Sequence, residues 1–173
     1  YSEKILRNKI SEIPDGEYTA KGFLDDDGRN RDVQLPVVVT VKVKGDSVTV
    51  DLTGSADQTP TAYNVPFEGS CKVAAFAGFR KLLLDASELE VPIPSNEGSF
   101  RPIDVVAPEG SIFNPIFPAA AEARFTQCNM MIDLIIKALA PVLPDKTIAG
   151  SSAAISFASY AGVKEDGDYW VFL

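Results

Sequence analysis

Alternating apolar and polar residues predict a β-hairpin in the first third of the chain. The valines at every second position share one face of a strand predicted over residues 33–44: Val37, Val39, Val41 and Val43. A second alternation covers residues 48–53, and Gly45 stands at the first central position of the short turn between the two runs. A further strand is predicted over residues 17–24. The hairpin is the best-defined element of the pattern.

Apolar residues at steps of three and four predict three helices. The first covers residues 2–13, and the second covers residues 70–85 with Ser70 as its N-cap and Val73 on its apolar face. The third covers residues 119–140 and is apolar around much of its circumference, which is typical of a mostly buried helix. Its defining positions are Phe125, Cys128, Ile132, Ile135 and Leu139.

The remaining pattern completes the predicted fold. Strands are expected over residues 100–107 and in the terminal run from Tyr169 to Leu173, and two prolines predict an extended segment over residues 112–117. Hairpins are combined with interposed helices, without the regular alternation of strand and helix seen in a doubly wound sheet. The pattern therefore indicates an α+β fold, with antiparallel β-hairpins and a mixed sheet packed with two main buried helices.

Composition excludes several classes of protein. The chain of 173 residues carries a net charge of −8, which argues against a nucleic-acid partner because phosphate contacts need basic clusters. No run approaches the roughly 18 apolar residues of a membrane span, and no signal peptide is visible, so no membrane partner is expected. Cys71 and Cys128 fall in apolar helical patterns as buried thiols, and the cytoplasm is the favoured compartment.

The chain contains no histidine. This excludes the Ser-His-Asp and Cys-His pairs of nucleophilic catalysis and removes the commonest ligand for transition metals. We therefore predict no catalytic and no metal-binding residue in this chain, and we expect the reactive groups to come from elsewhere. The chain also begins inside a helical pattern and ends in an apolar run, which is typical of a segment of a longer protein.

Two polar stretches are candidates for ligand contacts. The run from Asp25 to Gly28 offers carboxylates to a hard cation, although it lacks the spacing of an EF-hand loop and a solvated acidic turn is favoured. The loop over residues 54–66 contains Gln58 and Asn64, which could bind a polar ligand. A polar loop that only connects a strand to a helix is the alternative.

Two arginines are candidates for binding an anion. Arg101 stands where a turn becomes a strand, and its fork-shaped guanidinium would suit a carboxylate or phosphate ligand. An ion pair with one of the many acidic side chains is the alternative. Arg124 lies near the start of a predicted helix, where its charge adds to the positive helix end and suits an anion, unless Glu122 neutralises it.

A series of short motifs then follows one order along the chain. It comprises Pro14–Tyr18, Leu24–Gly28, Val50–Ser55, Asn64–Pro66, Asn96–Ile103, Ala107–Ser111, Asn114–Pro115 and Pro118–Ala120. The series resembles the hydantoinase B/oxoprolinase family, whose members belong to ATP-dependent hydantoinases, 5-oxoprolinases and related ketone carboxylases. Residues 121–128 depart from the family's usual pattern, so the particular substrate does not follow from the resemblance.

The resemblance implies a role in a larger enzyme. Family members are several hundred residues long, so the chain would be an internal segment, with residues 1–13 ending an upstream helix, 17–66 rich in β-structure and 67–173 mixed. A partner of the hydantoinase A type would handle ATP, and a divalent metal would be bound outside this segment. The implied reaction is hydrolysis of a cyclic amide by an oligomeric enzyme, with the isolated segment inactive. Ketone carboxylation and a purely structural assembly role are the alternatives.

Overall fold

A four-stranded mixed sheet forms the centre of the protein in a computed structural model that describes residues 1–85, 93–154 and 158–172. The strands are β1 (Gly16–Leu24), β2 (Leu35–Lys44), β3 (Ser47–Asp51) and β4 (Ile103–Val106), adjacent in that order. Strands β1, β2 and β3 are antiparallel, whereas β4 runs parallel to β3. The predicted hairpin and the mixed sheet are confirmed.

The alternation of valines in β2 is what fixes the register of the sheet. Val41 pairs with Val50 and Val43 with Val48, and these four side chains are almost completely buried. A slip by one residue would move the apolar side chains of β2 to the opposite face and lose their burial. One face of the sheet therefore packs into the hydrophobic core.

Two helices cover this core, as the sequence predicts. Helix α2 (Lys72–Leu83) and helix α3 (Phe125–Leu139) pack against each other, and α3 also packs on β1 and β2. Met131, Ile135 and Leu139 of α3 are completely buried. A shorter helix, α1 (Ser2–Ile10), inserts Leu6 and Ile10 into the same core. The α+β assignment with two main buried helices is confirmed.

The starts of two helices differ from the prediction. Ser70 does not cap α2, because a π-helical turn, Phe67–Cys71, precedes it and continues into α2. Helix α3 begins at Phe125 rather than at residue 119, since the backbone before it is hydrogen-bonded to another segment: the Ala123 N–H donates to the Ala62 carbonyl over 2.9 Å. Val73 and Phe125, predicted on apolar faces, are 60% and 47% exposed.

Two further predictions need correction. Ile112 and Phe113 do not lie in an extended segment but in a tight turn, closed by the Asn114 N–H donating to the Ser111 carbonyl over 3.0 Å. The turn is favoured because both side chains become completely buried. Strand β4 is shorter than expected, because residues 100–102 form a turn in which the Ile103 N–H donates to the Phe100 carbonyl over 3.0 Å. A short 3₁₀-helix, Glu97–Ser99, precedes this turn.

The end of the described chain is a separate hairpin. Strands β5 (Tyr160–Val163) and β6 (Tyr169–Phe172) pair antiparallel, which confirms the terminal strand up to Phe172; Leu173 lies outside the described residues. A second short 3₁₀-helix, Pro144–Lys146, follows α3. Within the described part of the chain, no helix has the length and apolar character needed to cross a membrane.

The packing of α2 on α3 predicts a stability difference between two glycines. A Cβ added to buried Gly78 would lie 3.0 Å from Cδ1 of Ile135. We expect Gly78→Leu to lower the free energy of unfolding by about 2 kcal/mol, the usual cost of overpacking. Gly69→Leu is the matched control, because no atom lies within 4 Å of its added Cβ. Urea denaturation of both variants makes the comparison, and equal stability would contradict the packing described.

Candidate functional site

The polar loop over residues 54–66 lies at the end of the sheet where β3 and β4 both finish. The Ser55 hydroxyl bonds to the backbone of β2 where a neighbouring strand otherwise would. It accepts from the Val38 N–H over 3.0 Å and donates to the Val38 carbonyl over 3.1 Å. Further along, the Gln58 N–H donates to the Gly110 carbonyl and the Val65 N–H to the Ile112 carbonyl, both over 2.8 Å. The loop is therefore tied to two neighbouring segments.

Asn64 holds the loop together from inside. The side chain is completely buried, and its Oδ1 accepts from the Thr59 N–H over 2.8 Å. Its Nδ2 donates to the carbonyls of Thr59, Thr61 and Ala120 over 2.9, 3.0 and 2.9 Å, so that two hydrogens serve three acceptors. The amide thus joins the loop to the segment that leads into α3.

The loop also holds the acidic turn. The Thr61 hydroxyl donates to the Asp27 carbonyl. The Asp27 carboxylate accepts from the backbone N–H groups of Asn30 and Arg29 over 2.6 and 2.8 Å, and these bonds keep the pKa of Asp27 below its ordinary value. Asp27 is buried, and its carboxylate stabilises the acidic turn through bonds within the turn. Across the described ranges, no group of three or more His, Cys, Asp or Glu side chains is placed to hold a metal ion.

A cavity of about 270 Å³ opens between the acidic turn, the loop and the first turn of α3. We call it the Gln127 pocket. Its polar lining consists of Asp25, Asp26, Tyr63, Thr126, Gln127 and Ser152. Its apolar lining includes Leu24 from β1 and Met130 from α3.

Gln127 is the unusual member of this pocket. The residue is 1% exposed, and neither Nε2 nor Oε1 has a hydrogen-bond partner among the described residues. An amide in that position loses its bonds to water without replacing them, which costs about 1–3 kcal/mol. Sequence reasoning missed Gln127 because a glutamine in an amphipathic helix gives no signal of burial. Only the folded arrangement shows that it faces inward.

Arg124 lies one turn before Gln127, at the N-terminal end of α3. Its Nε donates to the Ser70 hydroxyl over 2.9 Å and its Nη1 to the Ala121 carbonyl over 3.1 Å. The guanidinium also lies 4.9 Å from the ring centroid of Phe125. These partners are neutral, and no carboxylate of the described residues, Glu122 included, forms an ion pair with Arg124. A positive charge therefore remains uncompensated at the start of α3.

The other two predicted contacts lie apart from each other. Gln58 uses its Oε1 to accept from the Ile116 N–H over 2.7 Å, which places it in the loop with Asn64. Arg101 pairs with Glu3 of α1 over 3.3 Å, as the ion-pair alternative expects. It precedes β4, whereas the loop follows β3, and because these strands are parallel the two lie at opposite ends of the sheet. Gln58 and Asn64 share one loop, and Asn64 and Arg124 bond to the adjacent carbonyls of Ala120 and Ala121; Arg101 lies apart.

The two cysteines are not candidate nucleophiles, and a second cavity lies farther along α3. Burial raises the pKa of Cys71 to about 12 and that of Cys128 to about 11, so both free thiols stay protonated and unreactive at neutral pH. The second cavity, of about 330 Å³, lies along α3 between Lys21 and Lys137. Its carboxylate, Asp133, already accepts from the N–H and hydroxyl of Ser151 over 2.9 and 2.7 Å, so no buried polar group described there lacks a partner.

Comparisons with known proteins agree on one family. The hydantoinase B/oxoprolinase family model matches residues 1–173. A Pseudomonas sp. (strain NS671) protein, assigned as the B-type subunit of a D-/L-hydantoinase, is 42% identical over 179 residues, which cover 100% of this chain and 29% of that protein. The chain therefore spans less than a third of this curated relative.

Two solved structures share the fold. The ATP-dependent caprolactamase of Pseudomonas jessenii superposes with a TM-score of 0.69 and 24% identity, covering 84% of this chain and 24% of that one. An acetone carboxylase, described as catalysing ATP-dependent acetone carboxylation, superposes with a TM-score of 0.73 and 14% identity over 98% of this chain and 24% of that one. At these identities the likeness establishes the fold alone.

The role of Asn64 in holding the loop predicts a large loss of stability on a small chemical change. Asn64→Asp keeps the size of the side chain but replaces its donors by a carboxylate that faces three carbonyl oxygens. We expect the free energy of unfolding to fall by about 3 kcal/mol or more. Asn8→Asp, at an exposed position of α1, is the matched control and should change it by less than about 1 kcal/mol. Equal thermal stability of the two variants would show that the amide does not hold the loop.

Proposed function

Because the chain belongs to the hydantoinase B/oxoprolinase family, we propose that it is part of the B-type subunit of an ATP-dependent enzyme that hydrolyses a cyclic amide. The observation that carries the proposal is the 42% identity, across the whole chain, to the protein assigned as a B-type hydantoinase subunit. The fold shared with an ATP-dependent caprolactamase is consistent with it. Dependence on ATP favours a cytoplasmic enzyme.

The proposed division of labour follows from the chemistry that this chain lacks. It has no histidine, its two thiols stay protonated, and its described residues offer no metal-binding set. We therefore assign ATP binding to a partner subunit or domain of the hydantoinase A type and any divalent metal to another part of an oligomeric enzyme. On this proposal the 173-residue segment alone has no activity. Its own contribution is to shape part of the active site and to bind the substrate.

The uncompensated charge of Arg124 suits one stage of the proposed reaction. A ring amide resists hydrolysis because resonance stabilises its carbonyl. Transfer of the γ-phosphoryl group of ATP to the amide oxygen, with ADP as leaving group, would activate the ring carbon. Attack by one water at that carbon would break the C–N bond and leave an acyl phosphate, and a second water would hydrolyse the acyl phosphate to the carboxylate and phosphate. The phosphorylated ring is an anion. A guanidinium bonded only to neutral groups is free to stabilise it.

The other predicted substrate contacts play different parts in this proposal. Gln58 and Asn64 shape the loop beside Arg124, and their bonds within the chain indicate that they act on the substrate by positioning the loop. Arg101 lies at the opposite end of the sheet, and its contact with the substrate stays a prediction. A ketone carboxylase is the second candidate, favoured by the fold shared with acetone carboxylase. A scaffold that serves only subunit assembly is the third.

The test uses the full-length protein that contains this chain, together with its nucleotide-binding partner. We expect hydrolysis of hydantoin or ε-caprolactam, with release of ADP, only when ATP is present. Arg124→Met should lower kcat/KM by about 100-fold, since a charge-assisted contact to the transition state contributes about 2–3 kcal/mol. Arg31→Met, at an exposed position, is the matched control. Arg101→Met in the same assay tests the remaining predicted contact.

The outcomes separate the three candidates. Hydrolysis without nucleotide would contradict the proposal, and ATP-dependent incorporation of bicarbonate into acetone would favour the carboxylase. Unchanged kinetics of Arg124→Met with weakened association between the subunits would favour the scaffold. Each result is read from the same purified complex.

A further inference from the structure

The unpartnered side chain of Gln127 indicates what kind of ligand the Gln127 pocket binds. Gln127 lies in its wall with a donor and an acceptor, and neither has a partner within the described part of the chain. By contrast, the buried amide of Asn64 bonds through both of its polar atoms. Buried polar groups are almost always hydrogen-bonded in folded proteins, so an unpartnered amide beside a cavity indicates a partner that enters from the cavity.

The two free groups of Gln127 specify the shape of that partner. A primary carboxamide presents one N–H and one carbonyl on the same edge, side by side. The complementary edge is an N–H next to a carbonyl, both pointing the same way. Open-chain secondary amides are trans and present these groups on opposite sides. A small ring holds its amide cis, so a lactam, cyclic imide or cyclic ureide presents the required edge.

The size and charge of the pocket narrow the choice further. Its volume of about 270 Å³ is at the low end of ligand pockets, which suits a single small ring better than a nucleotide. Asp25 and Asp26 are in its lining, and no lysine or arginine of the described chain is. Their charge disfavours an anion and suits a neutral ring whose N–H groups bond to carboxylates. Leu24 and Met130 offer apolar contacts to ring methylenes.

We propose that the Gln127 pocket binds the neutral cyclic substrate, and that the Gln127 carboxamide pairs with the cis-amide edge of the ring through two parallel hydrogen bonds. The inference rests on the proposed function and names the residue that distinguishes a ring amide from an open one. Both polar atoms of Gln127 are buried beside the cavity. The terminal torsion of glutamine is soft, so the carboxamide can take the orientation that the pairing needs at low cost.

Binding without ATP tests the pairing directly. Calorimetry would compare ε-caprolactam with N-methyl-ε-caprolactam on the full-length protein; the N-methyl compound lacks the donor and should bind at least about 10-fold more weakly. Gln127→Met keeps the length of the side chain and removes both polar atoms. We expect this variant to bind ε-caprolactam about 10- to 100-fold more weakly than the wild type, since two hydrogen bonds are lost.

A second measurement separates a binding role from a structural one. Because the free amide is unpartnered, Gln127→Met should raise the melting temperature of the ligand-free protein while it weakens binding. Gln34→Met, the same change at an exposed loop position, is the matched control and should alter neither property. Loss of binding together with a lowered melting temperature would indicate a structural role and overturn the inference.

The remaining outcomes distinguish this inference from the proposed function. Equal binding of ε-caprolactam by the wild type and Gln127→Met overturns the pairing, as does the absence of any binding to the wild type. ATP-dependent hydrolysis by both proteins would leave the proposed function standing in those cases. Binding that depends on Gln127 in a protein with no ATP-dependent hydrolysis would support the pocket and contradict the proposed function.

Discussion

The amide of Asn64 is the constraint on which the site depends. It is buried at the point where the loop over residues 54–66 meets the segment before α3, and it bonds to both. The loop in turn holds the acidic turn through Thr61, and it carries Tyr63 into the wall of the Gln127 pocket. Asn64 therefore joins two segments directly, and Thr61 of the same loop ties in a third. Without Asn64, the pocket would keep Leu24 of β1 and the side chains of α3 but would lose the fixed position of Tyr63.

Helix α3 supplies side chains to the pocket, and its two halves serve different purposes. From Met131 onward its inward face is sealed against the sheet and α2. Its first turn instead holds an arginine bonded to neutral groups and a glutamine without partners among the described residues. The apolar half offsets the cost of leaving such groups unsatisfied, because burial of each large apolar side chain contributes about 1.5–3 kcal/mol. Stability and recognition thus divide along one helix, in keeping with the lower stability usual at binding sites.

The sequence predicts the parts of the fold that rest on local periodicity. Alternating valines identify β2 and β3, and the apolar repeat identifies the buried half of α3, because each pattern is set by the geometry of one element. The predicted start of α3 was wrong because hydrogen bonds from Asn64 and Ala123 to distant segments override helical propensity. Gln127 was missed for a related reason: the absence of a partner is a property of the assembled fold. Arg101 and Arg124 show the same limit, since sequence left each between an ion pair and a ligand.

Hydrogen exchange of the wild-type protein tests the central claim most directly. The amide hydrogens of Thr59, Val65 and Ala123 are bonded to Asn64 Oδ1, the Ile112 carbonyl and the Ala62 carbonyl. If the loop is fixed as described, these amides exchange as slowly as those of the central strand β2, although no helix or strand of the described chain contains Thr59 or Val65. Exchange at the rate of an unstructured peptide would contradict the account.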